Sequence, residues 1–177
     1  MDAERLIGLS RHALTGSAEA LDVIAEAWQA QALAQVIGNQ LVQTGPQELK
    51  GEARELSEAG GRGCGLPDQP GPGSAGIRAR RLSGVADPRS ALTGLGELLG
   101  EVGIALVALA CETDEEGLYW QCIEAIDAAD ESNDRVGAML RRLVAMDRES
   151  ERARERAQRE PRERGQARDG PPGALRR

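Results

Sequence analysis

Apolar positions recur at intervals of three and four along most of the 177-residue chain, the spacing of helices with a buried stripe. Leu6, Ile7, Ala13 and Leu14 share one side of a first helix over about 3–14. A second helix, over about 18–43, carries two stripes on nearly opposite sides. One is Leu21, Ala25, Trp28, Ala32 and Val36; the other is Val23, Ala27, Ala30, Ala34, Ile37 and Leu41. Thr44-Gly45-Pro46 breaks it. A short helix follows over about 47–59, with Pro46 at its first turn and Gly60-Gly61 behind it. The third main helix opens on Asp87-Pro88, a cap followed by a first-position proline, and runs to Cys111. The fourth opens on Thr113-Asp-Glu-Glu116, a capping-box pattern, and continues to about Met146, fraying on through Arg156.

Leu92, Leu95, Leu99, Val102, Leu106 and Leu109 line one face of the third helix, with Gly96, Gly100 and Gly103 in a second stripe beside them. A mid-helix glycine costs roughly 1 kcal/mol relative to alanine, so the glycines suggest a closely approaching backbone. The pattern predicts burial over more than half of this helix's circumference. The fourth helix is expected to bury Leu118, Cys122, Ile126, Ala129, Val136, Leu140 and Leu143, with Asn133 interrupting the stripe. Cys111 and Cys122, on apolar faces, are expected as small core residues.

Composition narrows the fold. There is no Phe, and Tyr119, Trp28 and Trp120 are the only aromatics, so the core must be aliphatic. β-rich runs are absent. Residues 60–76 hold seven Gly and three Pro, and the segment after Arg148 is nearly all Arg, Glu, Gln, Gly and Pro. The expectation is an all-α bundle of four to five helices. Residues 1–59 supply its N-terminal helices and 87–147 its C-terminal ones. A disordered Gly/Pro-rich linker, 60–86, joins them, and a disordered Arg-rich tail, 148–177, follows. Val102–Cys111 is too short to span a bilayer, and extension back to Ala91 brings in Glu97 and Glu101. Cys64, Cys111 and Cys122 are widely spaced and form no CxxC; with no signal peptide, they point to a reducing cytoplasm.

Net charge is −7, unevenly spread: −5 over 1–60, +3 over 61–93, −8 over 94–146 and +3 over 147–177. An acidic fold with basic extensions repels nucleic acid and anionic membrane. Trp120, Glu124, Asp127, Glu131 and Asp134 share one face of the fourth helix. Helical di-metal sites place Glu and Glu-x-x-His inward from several helices, and His12 is the only histidine. The run Asp130–Asp134 resembles a calcium loop but has Arg135 and Arg141 where glycine and the bidentate glutamate are needed. No metal, cofactor or catalytic residue is therefore assigned. His12 is read as a surface residue, and Cys64 as an exposed thiol in the linker. Arg78-Ala-Arg-Arg81 and the tail interleave too little net charge, and no aromatic, for nucleic-acid stacking.

Two surfaces remain. From Ala27 to Gln47 the second helix has no charge and two apolar stripes, which marks either the hub of the bundle or half of an interface. Ala27, Ala30, Ala34 and Gln31 are the residues expected at a homodimer seam. Trp120, Glu124, Asp127 and Glu131 form either a solvated acidic face, with the Trp120 ring tucked under a loop at the helix start, or a surface that receives an unidentified protein partner. The leading function is a non-enzymatic interaction or adaptor protein. The alternatives are a nucleic-acid-associated regulator using the Arg-rich tail, and a metal- or ligand-binding enzyme using the acidic face.

The strings Ala27-Trp-Gln-Ala-Gln-Ala-Leu-Ala-Gln and Asp114-Glu-Glu-Gly-Leu-Tyr-Trp-Gln-Cys-Ile-Glu-Ala-Ile-Asp-Ala-Ala-Asp-Glu-Ser resemble an uncharacterised streptomycete family of small helical proteins, a domain of unknown function. The resemblance covers roughly residues 1–146 outside the linker. It implies an actinobacterial cytoplasmic protein and carries over no activity and no site residue.

Overall fold

A computed structural model of the chain describes residues 1–17, 19–63 and 77–166. It contains five α-helices: α1 (Ala3–Gly16), α2 (Ala20–Thr44), α3 (Lys50–Gly63), α4 (Pro88–Glu112) and α5 (Glu116–Gln166). Short 3-10 helices occupy Gln47–Leu49 and Arg78–Arg81. The expected all-α bundle is what forms.

Local chemistry sets the helix starts. The Asp2 carboxylate accepts the N–H of Arg5 at 2.9 Å, and the Asp87 carboxylate accepts that of Arg89 at 2.9 Å. The capping box expected at Thr113 does not form. Its hydroxyl accepts the Glu115 N–H at 3.2 Å, two residues on, and α5 begins only at Glu116.

One compact unit comprises Met1–Arg142. Its hub is α2, which contacts α1, α3, α4 and the 3-10 helix at Arg78–Arg81. The α2–α3 crossing is closest. A Cβ placed on Gly38 would lie 2.7 Å from the backbone N of Ser57, and one on Gly60 would lie 2.6 Å from the backbone N of Gln35. Two glycines, one per helix, thus let backbone meet backbone, and Ala53, Leu56 and Ala59 of α3 are buried, as is Leu49 of the preceding 3-10 helix. The first half of α5 joins the same core through Cys122, Ala129, Val136 and Met139.

Both edges of the expected linker are ordered. Helix α3 runs on to Gly63, and residues 77–86 are held at two points. The Arg78 N–H donates to Gln29 Oε1 at 2.9 Å while its guanidinium pairs with Glu26. The Met1 ammonium donates to the Arg81 carbonyl at 3.0 Å and to Ser83 Oγ at 2.9 Å. Composition concealed this, because the anchors are Met1, ahead of α1, and Glu26 and Gln29 of α2, remote in sequence. Residues 64–76, with Cys64, lie outside the described residues.

The second unit begins at Leu143 and is the C-terminal continuation of α5, helical to Gln166, with side chains from Asp147 to Arg159 exposed. The tail expected to be disordered is therefore helical over much of its length. Glu149/Arg152, Glu151/Arg154 and Glu155/Arg159 are spaced three or four residues apart, the spacing at which opposite charges favour a helix. Residues 167–177 lie outside the described residues.

Candidate interaction surface

The alanine stripe of α2 is not a surface. Ala27 is 3% exposed, and Ala30 and Ala34 are 0% exposed, covered by the chain's own helices. The homodimer seam expected there is corrected on this point: the Gly38 and Gly60 contacts bring α3 onto the stripe that a second copy would have needed. Gln31 is buried as well, its Oε1 accepting from the Ser132 hydroxyl at 2.8 Å. The Gln31 amide nitrogen is buried with no hydrogen-bond partner, a desolvation cost of about 1–3 kcal/mol. This polar contact ties α2 to α5. It went unseen in the sequence because Ser132 sits inside an acidic run.

Trp120, Glu124 and Asp127, in contrast, are all exposed on α5. Glu131 is half-buried and pairs with Arg62 of α3, next to an Arg135–Glu55 pair at 2.8 Å. Glu131 therefore fastens α3 to α5, and the surface proper is built around Trp120. The Trp120 ring is packed edge-on against Tyr119, with centroids 5.4 Å apart and planes at 78°. Both rings face solvent.

A second exposed face lies on α4, and it takes in Gly100 and Cys111, which the sequence pattern placed on the buried side. On α4, Ala91, Leu92, Leu95, Leu98, Leu99, Val102 and Leu106 are buried. Gly100, Ile104, Val107, Ala108 and Cys111 are exposed at spacings of four, three, one and three. Ile104 is 73% exposed. The expectation of burial over more than half the circumference, and of Cys111 as a core residue, is overturned. Neighbours cover only one side of α4. On one flank α1 packs Ile7 against Gly94, and Arg11 pairs with Glu97 at 2.9 Å and with Glu101. On the other, Asn133 and Val136 of α5 each come within 3.3 Å of a Cβ position on Gly96. Between these flanks nothing lies within 4 Å of a Cβ placed on Gly100 or Gly103. Residues 113–115 join α4 to α5, so Cys111 and the Tyr119–Trp120 pair stand on either side of this connection in the chain.

Electrostatics mark the same region. From Ser90 to Asp134 there are eleven Asp and Glu and no Lys, Arg or His. This base-free stretch is legible in the sequence. Hydrogen bonding from Glu101, with its charge, holds the Arg11 guanidinium more firmly protonated than usual. Burial pushes the Cys122 thiol above its ordinary range, so it stays neutral and unreactive. Among the described residues, no three His, Cys, Asp or Glu side chains gather where they could hold a metal ion. Helix α4 is long and apolar enough by composition to cross a membrane, but its leucine face forms part of the bundle core.

The fold and this surface define a small all-α bundle protein whose distinguishing external feature is an apolar, aromatic face set in acid. The chain belongs to the family of unknown function DUF6099, whose model matches residues 1–142. That span coincides with the compact unit Met1–Arg142. No curated protein and no solved structure matches.

Proposed function

We propose that this chain is a non-enzymatic interaction or adaptor protein of the cytoplasm, binding another protein through the outer surface of α4 and the start of α5. The observation that supports it most is the exposed Tyr119–Trp120 pair, at 40% and 57% exposure, together with the uncovered Ile104 and Val107 of α4. Interface anchors are enriched in Trp and Tyr, and a monomer gains nothing by leaving such area in water. The acids around it make a polar rim.

The test is site-specific photo-crosslinking in the native host. A photoreactive phenylalanine at position 119 should give a discrete adduct heavier than the chain. The same group at Leu21, exposed on α2 away from this surface, should not. Identical patterns at the two positions would sink the interaction surface.

A further inference from the structure

We infer that the α4–α5 face accepts a basic amphipathic helix, one with aliphatic residues along one side and Lys or Arg flanking them. The inference rests on the interaction function proposed above and adds the chemistry of the partner.

Shape comes first. The exposed residues Gly100, Ile104, Val107, Ala108 and Cys111 form one continuous line on α4. At 1.5 Å per residue it is about 17 Å long, three turns of a helix laid alongside. Gly100 and Gly103 open onto free space at its upper flank. Each forfeits roughly 1 kcal/mol of helix propensity without a compensating contact inside the chain, unlike Gly38 and Gly60. Small residues there let an incoming backbone approach closely, while Ile104 and Val107 supply apolar ridges. Tyr119 and Trp120, exposed at the start of α5, are the available aromatic anchors.

Charge then selects the occupant. Between Ser90 and Asp134 stand eleven acids and no base; Arg11 pairs with Glu97 and Glu101, and Arg62 with Glu131, and the region keeps a net excess of negative charge. A second copy would bring one such excess against another, which like-charge repulsion opposes. Nucleic acid and anionic lipid meet the same repulsion. A helix with Lys and Arg at the edges of an aliphatic stripe meets attraction at the rim and apolar contact at the centre, the helix-in-groove mode of recognition.

Fluorescence anisotropy with the full chain tests this. The probe is a labelled synthetic peptide of about 18 residues, Leu on one helical face and Lys on the other, compared with its Leu/Glu counterpart. The Lys peptide should bind saturably, weakening about tenfold or more between 0.05 and 0.5 M salt. The Glu peptide should not bind. Ile104→Asp, and separately Ala108→Asp, should each reduce affinity about tenfold or more. Leu21→Asp should leave it unchanged. Circular dichroism confirms that each variant is folded. Salt-independent binding, equal binding of the Glu peptide, or indifference to both α4 variants would overturn the inference. So would light scattering that reports a dimer dissolved by Ile104→Asp, or co-sedimentation with phosphatidylserine vesicles. A crosslink at position 119 without Lys-peptide binding removes the basic-helix chemistry alone. Lys-peptide binding without a crosslink removes the cellular function alone.

Discussion

Alanine at Gly38 should destabilise the protein, whereas alanine at Gly100 should stabilise it. Both glycines are inside long helices, and a helix-propensity scale assigns each substitution the same gain of about 1 kcal/mol. Their surroundings differ. At Gly38 the new methyl would lie 2.7 Å from Ser57 N, 2.8 Å from the Ala53 carbonyl oxygen and 3.0 Å from Ser57 Cα. All three are backbone atoms of a helix, so no side chain can swing aside. Ordinary contact begins near 3.4 Å, and α3 would have to retreat by about 0.7 Å. A gap of that size forfeits about a quarter to a half of the dispersion between facing atoms, and Leu33, Ile37, Leu41, Leu49 and Leu56 all belong to this interface or border it. Overpacking of this kind costs about 3 kcal/mol, at the upper end of the usual range, leaving a net loss of about 2 kcal/mol. Gly100→Ala meets nothing and keeps its gain of about 1 kcal/mol. For a domain of this size the two variants should differ in melting temperature by about 6–12 °C, with the parent between them. Thermal unfolding followed by circular dichroism at 222 nm decides it. Gly60→Ala, facing Gln35 N and the Gln31 carbonyl oxygen, should behave like Gly38→Ala. A Gly38→Ala protein that melts at or above the parent would refute backbone-on-backbone packing at the α2–α3 crossing.

Ala30→Glu, at a site with no exposure, should abolish cooperative folding and not merely dissociate an assembly, because burying an unpaired carboxylate costs several kcal/mol. A folded Ala30→Glu monomer would show that the stripe is external after all. In a Cys64→Ser background, Cys111 should react with a thiol reagent at least about a hundredfold faster than Cys122, whose labelling requires opening of the core. The raised Cys122 pKa gives a sign as well. The folded value lies above the unfolded one, so the neutral thiol's stabilisation is complete below the unfolded pKa of about 8.5 and is lost as pH rises through the folded value. Urea denaturation between pH 7 and pH 10, compared with a Cys122→Ala variant, should show a steeper alkaline decline in the parent.

Much of this molecule was legible in its linear pattern because helix periodicity and helix stops are local. The Gly45-Pro46 break, the Asp87-Pro88 start and the leucine stripe of α4 all fall where spacing places them. The acidic residues Glu124 and Asp127 were likewise placed outward on α5, since their positions relative to Cys122 and Ala129 follow from 100° per residue, whereas the exposure of the Trp120 ring, which a covering loop could have removed, needed the structure. Residues 77–86 resisted sequence analysis for the opposite reason. Their partners, Met1, Glu26 and Gln29, are about 50 to 80 residues away, and composition carries no record of such pairing.

The sequence by itself determined that the chain is helical, that its core is aliphatic, and that acid is in excess over residues 94–146. Tertiary structure alone decided which apolar stripes are used. Helix α2 and helix α4 each have more apolar surface than one neighbour can cover, and periodicity cannot rank the faces. The close α2–α3 crossing at Gly38 and Gly60 buries the alanine stripe. Flanking by α1 and α5 leaves Ile104, Val107 and Cys111 in solvent. An amphipathic pattern specifies that a face is apolar; which faces are covered depends on how many helices can reach a given one, a property of the assembled bundle and not of any single segment.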